Sequence, residues 1–91
     1  MQFYYVYVLQ ENVRRCLYIG FTRDLRKRIL GHNSRDTKTT KNGDYKLIYY
    51  ESYLNKADAI GREKFLKGGS GRKYLTKQLK HFFEEGVGIR G

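Results

Sequence analysis

A run of aromatic and β-branched residues near the start of the chain constrains the fold most strongly. Residues 3–9 are Phe-Tyr-Tyr-Val-Tyr-Val-Leu, a composition typical of a buried or half-buried strand. The polar residues 10–15 predict a hairpin connection, and residues 16–20 predict a second strand that runs antiparallel to the first. The chain is therefore expected to begin with a tyrosine-rich β-hairpin.

The tyrosines of this hairpin divide between its two faces. Alternation along the first strand places Tyr5 and Tyr7 on one face and Tyr4 on the other. If the two strands pair as predicted, Tyr7 and Tyr18 lie close together in the middle of the sheet. Periodicity alone makes neither residue catalytic, because a tyrosine in a strand is most often part of the core.

The rest of the chain predicts one more strand and three helices, in the order β-β-α-β-α-α. A chain of 91 residues supports one domain, and three strands with helices packed on them form an α/β or α+β domain. We place this domain at residues 1–85 and a flexible, glycine-rich tail at residues 86–91. The later segments are a helix at 23–31, a loop at 33–44, a strand at 45–53, a helix from Asn55 to Lys67 and a helix from Ser70.

The charge of the chain indicates a polyanionic partner. There are 19 Lys and Arg against 9 Asp and Glu, a formal net charge of +10. DNA is the expected partner and RNA the alternative, whereas a membrane surface lacks support because no helix opposes a basic face to a wide apolar one. A merely soluble basic protein without such a partner is the lesser alternative. The candidate phosphate contacts are Arg23, Lys27, Lys38, Lys41, Arg72 and Lys73.

Cysteine usage bears on the compartment. Cys16 is the lone cysteine, so an intramolecular disulfide and a cysteine-rich zinc site are both excluded. The first residues show no signal-peptide pattern, and no apolar stretch approaches the roughly 20 residues of a membrane span. A cytoplasmic location is expected.

Glu63 stands in an unusual place on the helix that follows Asn55. Helical spacing puts it on the same stripe as Ala59, Ile60 and Leu66. A charge on an apolar face needs a metal ion, a cationic side chain or a solvent-filled cleft. A structural ion pair with a nearby Lys or Arg is the simpler explanation.

Arg28 and His32 form a second unusual pair. They lie four residues apart on the first predicted helix, so their side chains share a face that borders Leu25 and Ile29. A guanidinium beside an imidazole suits an anion or a developing negative charge. For an isolated pair, however, a solvated flank of a basic helix is the more common explanation.

Five sequence elements, taken together, resemble a known family. They are Tyr5-Val6-Tyr7, Tyr18-Ile19-Gly20, Arg28, His32 and Arg62-Glu63-Lys64, in this order along the chain. Their order and spacing resemble those of GIY-YIG nuclease domains, which occur in homing endonucleases, excision-repair nucleases, some restriction enzymes and small stand-alone bacterial proteins. The resemblance covers residues 3–79. It departs from the family at Tyr5, where glycine is usual, and a C-terminal asparagine of the family has no counterpart that aligns.

The resemblance implies a fold and a mechanism. The fold is a three-stranded antiparallel sheet flanked by helices, and the activity is hydrolysis of DNA phosphodiesters to a 5′-phosphate and a 3′-hydroxyl. Glu63 would bind one divalent cation, Mg²⁺ or Mn²⁺. Tyr7 would take the proton of the attacking water, and Arg28 would stabilise negative charge on the phosphoryl oxygens. Tyr18 and His32 would orient the water or assist proton transfer.

Two other functions remain open at this stage. The same fold could bind DNA or RNA without cutting it, since basic charge and exposed tyrosines serve binding equally well. It could also be a small interaction protein or an RNA-associated structural protein. Glu63 distinguishes the nuclease from the binding module, because a pure binder gains nothing from a carboxylate that faces phosphates.

Overall fold

A computed structural model describes residues 1–33 and 45–88, with the side chains of 1–30 and 45–85. Within these residues the chain forms an α+β fold, with a three-stranded antiparallel sheet and four helices. The elements are β1 (Tyr4–Glu11), β2 (Leu17–Thr22), α1 (Leu25–Asn33), β3 (Tyr45–Tyr53), α2 (Lys56–Lys67), α3 (Gly69–Gln78) and α4 (Lys80–Gly88).

The first strand is the centre of the sheet. The strand order is β2-β1-β3, and both neighbours run antiparallel to β1. β1 is buried over its last six residues, from Val6 onward, because it has a partner strand on each side. In the turn to β2, Arg15 takes a left-handed backbone conformation with φ 64°, and its N–H donates to the carbonyl of Glu11. The predicted hairpin is confirmed, with its first strand continuing to Glu11.

The sheet has two chemically different faces. Directly opposed residues of antiparallel strands point to the same side. Tyr7 opposes Gly20 of β2 and Tyr50 of β3, and these residues belong to what we call the tyrosine face. Val6 and Val8 point to the opposite side, the helix face, which α2 and α3 cover. Tyr4 packs against the same core as these valines, so the predicted separation of Tyr7 from Tyr4 is confirmed.

An extra residue in β3 determines which of its side chains lie on each face. Val8 pairs with Tyr49 and Leu9 pairs with Leu47, so Ile48 has no partner in β1 and forms a bulge. As a result Tyr45 and Leu47 share the tyrosine face with Tyr50. Before Ile48 the odd-numbered residues of β3 lie on this face, and after Ile48 the even-numbered residues do.

The hydrophobic core lies between the helix face of the sheet and the two helices α2 and α3. Gly71, at the start of α3, allows these helices to meet closely. A Cβ at this position would lie 2.2 Å from the Phe65 carbonyl oxygen and 2.4 Å from the Leu66 Cα. The buried residues of the core are Val6, Val8, Ile19, Ala59, Leu66 and Leu75.

Two polar side chains cap the starts of helices. Asp24 precedes α1 and its Oδ1 accepts a hydrogen bond from the Lys27 N–H at 3.1 Å. Asn55 precedes α2 and its Oδ1 accepts from the Ala57 N–H at 2.8 Å and from the Asp58 N–H at 3.3 Å. Both caps satisfy backbone groups that would otherwise lack a partner.

The C-terminal part differs in detail from the prediction. The single helix expected from Ser70 is two helices, because the backbone leaves helical geometry at Leu79, with φ −105° and ψ 30°. α4 continues to Gly88 and so includes the first three residues of the predicted tail. Residues 89–91 lie outside the described part. Among the helices described, none is long and apolar enough to cross a membrane.

Candidate active site

Tyr7 is the centre of the candidate site. It lies in the central strand, and the side chain extends over Gly20 of the edge strand β2. Tyr7 is one of the most completely buried residues of the protein, with 1% of its surface exposed. The glycine of the Tyr18-Ile19-Gly20 element therefore has a physical reason, because it leaves room for the phenol.

The electrostatic surroundings of Tyr7 bring the predicted site residues together. Burial raises the pKa of Tyr7 to about 12, against the lowering effect of the Arg28 charge, while Tyr18 and Glu63 add to the rise. Arg28 comes from α1, Tyr18 from β2 and Glu63 from α2. Three residues proposed from the sequence, each from a different element, thus act electrostatically on Tyr7 in the central strand.

The rings of Tyr7 and Tyr18 stack on each other. Their ring centroids are 6.4 Å apart with an interplanar angle of 26°, as predicted from the hairpin. On its other side Tyr18 makes an edge contact with Tyr45 at 6.4 Å. Tyr50 makes an edge contact with Tyr5 at 6.1 Å. Tyr45 and Tyr50 were not singled out from the sequence, since their common face depends on the bulge at Ile48.

Arg28 lies on the exposed side of α1. Its backbone N–H donates to the Asp24 carbonyl, so the first turn of the helix fixes its position. Leu25 and Ile29 are half-buried beside it, as predicted for the border of this helix. His32 belongs to α1, but its side chain lies outside the described residues, so its predicted pairing with Arg28 stays a prediction.

Glu63 lies between buried residues of α2 and carries a cationic partner. Its neighbours on the helix stripe, Ala59 and Leu66, are fully buried, while the Glu63 side chain is 20% exposed. The Lys67 Nζ lies 3.0 Å from Glu63 Oε2. The structural ion pair considered from the sequence is therefore present, and Glu63 also acts electrostatically on Tyr7.

A second carboxylate, Glu51, ties α2 to the sheet. Arg62 donates to it with Nε at 2.8 Å and with Nη2 at 3.0 Å, a bidentate pair. The hydroxyls of Tyr49 and Tyr53 also donate to Glu51, each at 2.5 Å. We call these four residues the Glu51 clamp. Because Arg62 directly precedes Glu63, the clamp fixes the part of α2 that carries the candidate ligand.

The ionisation of the Glu51 clamp follows from these contacts. Burial would raise the pKa of Glu51, but hydrogen bonds from Arg62, Tyr49 and Tyr53 outweigh it and lower the pKa. Burial and the bond to Glu51 raise the pKa of Tyr53 to about 12. The Arg62 guanidinium also lies over the ring of Tyr74, with its Cζ 4.4 Å from the centroid. Sequence analysis missed the clamp, since residues eleven apart on different elements leave no local pattern.

The residues of the candidate site suit a metal ion that takes few of its ligands from the protein. Among the side chains that the structure describes, no three of His, Cys, Asp or Glu converge as a metal-binding group. Mg²⁺ is commonly held by one or two carboxylates, with water and substrate phosphate as its other ligands. Glu63 suits that role, and it already holds a cation in the form of the Lys67 ammonium.

The candidate phosphate contacts are partly described. Lys38 and Lys41 lie outside the described residues. The other four are exposed, on the segment before α1, on α1 and on α3. The guanidinium of Arg23 also stacks over Tyr4, with 5.7 Å between the Arg23 Cζ and the ring centroid. These exposed residues are Arg23, Lys27, Arg72 and Lys73.

Comparison with known proteins identifies relatives that this chain matches over two thirds or more of their length. The profile of the GIY-YIG catalytic domain matches residues 3–75. A UPF0213 protein of Pediococcus acidilactici is 39% identical over 82 residues, which cover 86% of this chain and 82% of the relative. A UPF0213 protein of Clostridium perfringens is 42% identical over 65 residues, 69% of each chain. One from Staphylococcus epidermidis is 31% identical over 88 residues, 94% of this chain and all of the relative. No solved structure matches.

Proposed function

The chain belongs to the family of GIY-YIG catalytic domains, and from this membership we propose that it is a metal-dependent endonuclease that hydrolyses phosphodiester bonds in DNA. The observation that supports this most is the position of the Tyr7 phenol. It is buried over Gly20, within electrostatic range of both the Arg28 cation and the Glu63 carboxylate. A tyrosine with a purely structural role needs neither a cation nor a carboxylate beside it.

Glu63 is the residue that would hold the metal, one ion of Mg²⁺ or Mn²⁺. Such an ion, when bound, supplies positive charge that neutralises the phosphate oxygens and favours ionisation of nearby acidic groups. The carboxylate has the right exposure for this role, because at 20% exposed it is open to solvent yet held on a buried helix stripe.

Tyr7 would accept the proton of the attacking water at its Oη. With a pKa of about 12, the phenol keeps its own proton at neutral pH in the metal-free protein, so this proton must pass to solvent before Oη can accept one from the water. Arg28 favours loss of that proton and Glu63 opposes it. Neutralising Glu63 would therefore shift Tyr7 toward the phenolate that the reaction requires.

Arg28 and the remaining residues would act on the phosphate. The exposed guanidinium of Arg28 is a planar donor suited to two phosphoryl oxygens. In-line attack by water would then break the bond to the 3′ oxygen and leave a 5′-phosphate. Tyr18, stacked on Tyr7, would orient the water, with His32 as its partner from α1. The basic charge of the chain, with Cys16 exposed and unpaired, agrees with a DNA-binding protein of the cytoplasm.

A non-catalytic binding module of the same fold is the second candidate. The ion pair between Glu63 and Lys67 favours it, because that contact gives the carboxylate a structural role without a metal. Such a module would bind DNA or RNA through the same basic residues. It would not depend on Glu63 for anything except stability.

The decisive experiment is a cleavage panel of labelled duplex, branched and single-stranded DNA and of RNA, with Mg²⁺, with Mn²⁺ and with neither. We expect metal-dependent cleavage that Glu63→Gln abolishes, while the DNA affinity measured without metal changes little. Asp58→Asn is the matched control, since it removes a carboxylate from the exposed first turn of the same helix. Cleavage by Glu63→Gln near the wild-type rate would remove Glu63 as the metal ligand. Binding without cleavage under all conditions would favour the binding module.

A further inference from the structure

Lys67 is the cation that meets Glu63. The contact spans one helical turn near the end of α2, with 3.0 Å between Lys67 Nζ and Glu63 Oε2. Glu before Lys at this spacing is the favoured order for a helical ion pair, and a cation suits the last turn of a helix. The Lys67 side chain is 55% exposed and that of Glu63 is 20% exposed. The ammonium therefore approaches a largely buried carboxylate from the solvent side.

A metal ion and this ammonium would compete for one carboxylate. The inference that follows rests on the proposed function, in which Glu63 binds a divalent cation. An ammonium has donors but no acceptor, so it cannot share a ligand role with the metal and repels it instead. Lys67 must therefore leave Glu63, or loosen its contact, before the metal is held well.

A phosphate group offers Lys67 another partner. Lysine carries a compact charge on a flexible stem, and at the end of α2 it is followed directly by Gly68 and Gly69. It also belongs to a basic segment, residues 64–81, that contains no Asp or Glu. This segment is expected to attract a phosphodiester backbone to the neighbourhood of Lys67. The cations of the segment are Lys64, Lys67, Arg72, Lys73, Lys77 and Lys80.

We propose that Lys67 neutralises Glu63 in the free protein and is drawn away from it by a phosphate of the bound nucleic acid. Metal binding then becomes dependent on nucleic acid, because the same phosphate removes the competing cation and adds oxygen ligands for the metal. By linkage, nucleic acid and metal each raise the affinity of the protein for the other. The free protein would consequently hold the metal only weakly.

The first test measures Mn²⁺ binding to the protein alone, by the electron paramagnetic resonance signal of free Mn²⁺. Lys67→Met keeps most of the stem and removes the charge, and we expect it to tighten Mn²⁺ binding by about 3- to 10-fold. Lys67→Gln should behave alike. The matched control Lys64→Met removes an exposed charge from the same helix and should change the affinity by less than about 2-fold.

The second test adds a short DNA duplex to the same titration. In the wild type the duplex should raise Mn²⁺ affinity, and in Lys67→Met this enhancement should be smaller by about the factor gained without DNA. Equal Mn²⁺ affinities of the wild type, both Lys67 variants and the Lys64 control would overturn the proposal. The Glu63→Gln variant distinguishes failure of the Lys67 proposal from failure of the proposed metal site. If it loses Mn²⁺ binding while Lys67→Met gains nothing, only the role of Lys67 fails. If it binds Mn²⁺ like the wild type, the metal site of the proposed function fails.

Discussion

The phenol of Tyr7 fills the space that a side chain at Gly20 would need. A Cβ built on Gly20 would lie 2.4 Å from both Cζ and Oη of Tyr7, which is closer than any carbon tolerates. The two residues are direct cross-strand partners, so the backbone of the sheet itself determines their approach. The position of the candidate proton acceptor therefore depends on the absence of a side chain one strand away.

Gly20→Ala should displace the Tyr7 ring and lower the rate of cleavage by about 100-fold or more, since small misplacements of a reacting group are costly. Single-turnover cleavage and DNA affinity measure this, and affinity should change little. Gly61→Ala is the control, because a Cβ there meets nothing within 4 Å. An active Gly20→Ala variant would show that the Tyr7 hydroxyl need not occupy this position.

Tyr7→Phe removes one hydroxyl and tests its chemistry. We expect a loss of about 10²- to 10⁴-fold in the cleavage rate, as for a general base. Stability should change by only about 1 kcal/mol. Tyr50→Phe, the directly opposed residue of β3 with 51% of its surface exposed, is the control and should stay active. If Tyr18→Phe loses activity while Tyr7→Phe keeps it, Tyr18 is the proton acceptor.

The pKa of Tyr7 should move in opposite directions in two charge variants. Glu63 raises it and Arg28 lowers it, so Glu63→Gln should bring the pKa below about 12 and Arg28→Gln should raise it further. NMR titration of tyrosine labelled at the ring carbons measures both. Because burial raises the pKa from 10, the contribution of Tyr7 to stability is complete below pH 10 and is lost as the pH rises through about 12. Unchanged titration in both variants would place the two charges away from Tyr7.

Much of the site was predictable because its residues lie in local patterns. The alternation of side chains along a strand, together with the hairpin, predicts that Tyr7 and Tyr18 are neighbours on one face of the sheet. The spacing of side chains along a helix puts Glu63 on a buried stripe. The contacts that complete the site are non-local. Glu51 meets Arg62 only when β3 pairs with β1 and α2 crosses the sheet, and nothing near either residue indicates it.

The C-terminal helices show a second feature that the sequence pattern did not predict. Leu75, Leu79, Phe82 and Phe83 continue one helical pattern, so the spacing predicts a single helix. The backbone nevertheless breaks at Leu79, while its N–H still donates to the Leu75 carbonyl at 2.8 Å and Phe83 N–H donates to Leu79 at 3.0 Å. The spacing of apolar residues indicates which face of a helix is buried. It does not reveal a bend in the backbone when the same face stays buried on both sides of the bend.

Glu51→Gln should destabilise the fold by about 2 to 4 kcal/mol, because Arg62 would lose a charged partner in a half-buried place. Thermal or urea unfolding measures the change. The lowered pKa of Glu51 means that its contribution is present above the ordinary carboxyl pKa and is lost as the pH falls through the lowered value. The variant should accordingly lose less stability than the wild type between neutral and acid pH. An identical acid dependence would contradict this role for the Glu51 clamp.

Gly71→Ala should destabilise the protein by about 3 kcal/mol, since the added Cβ meets the backbone of Phe65 and Leu66, which has no rotamer to adopt. Gly61→Ala, in the same measurement, should stabilise it by about 0.5 to 1 kcal/mol, because alanine is the better helix former. Urea unfolding of the two variants gives both values. Equal stability of the two variants would mean that α3 can move away from α2 at little cost.

The unpaired residue Ile48 also determines how β3 can vary in length. Deleting Ile48 would restore regular alternation while Leu47 and Tyr50 keep their side of the sheet and Tyr49 keeps the other. Deleting a residue farther along the strand, such as Ser52, would instead carry Tyr53 to the tyrosine face and remove a member of the Glu51 clamp from α2. Among homologues, a one-residue gap in this strand is therefore expected to fall at Ile48 or directly beside it.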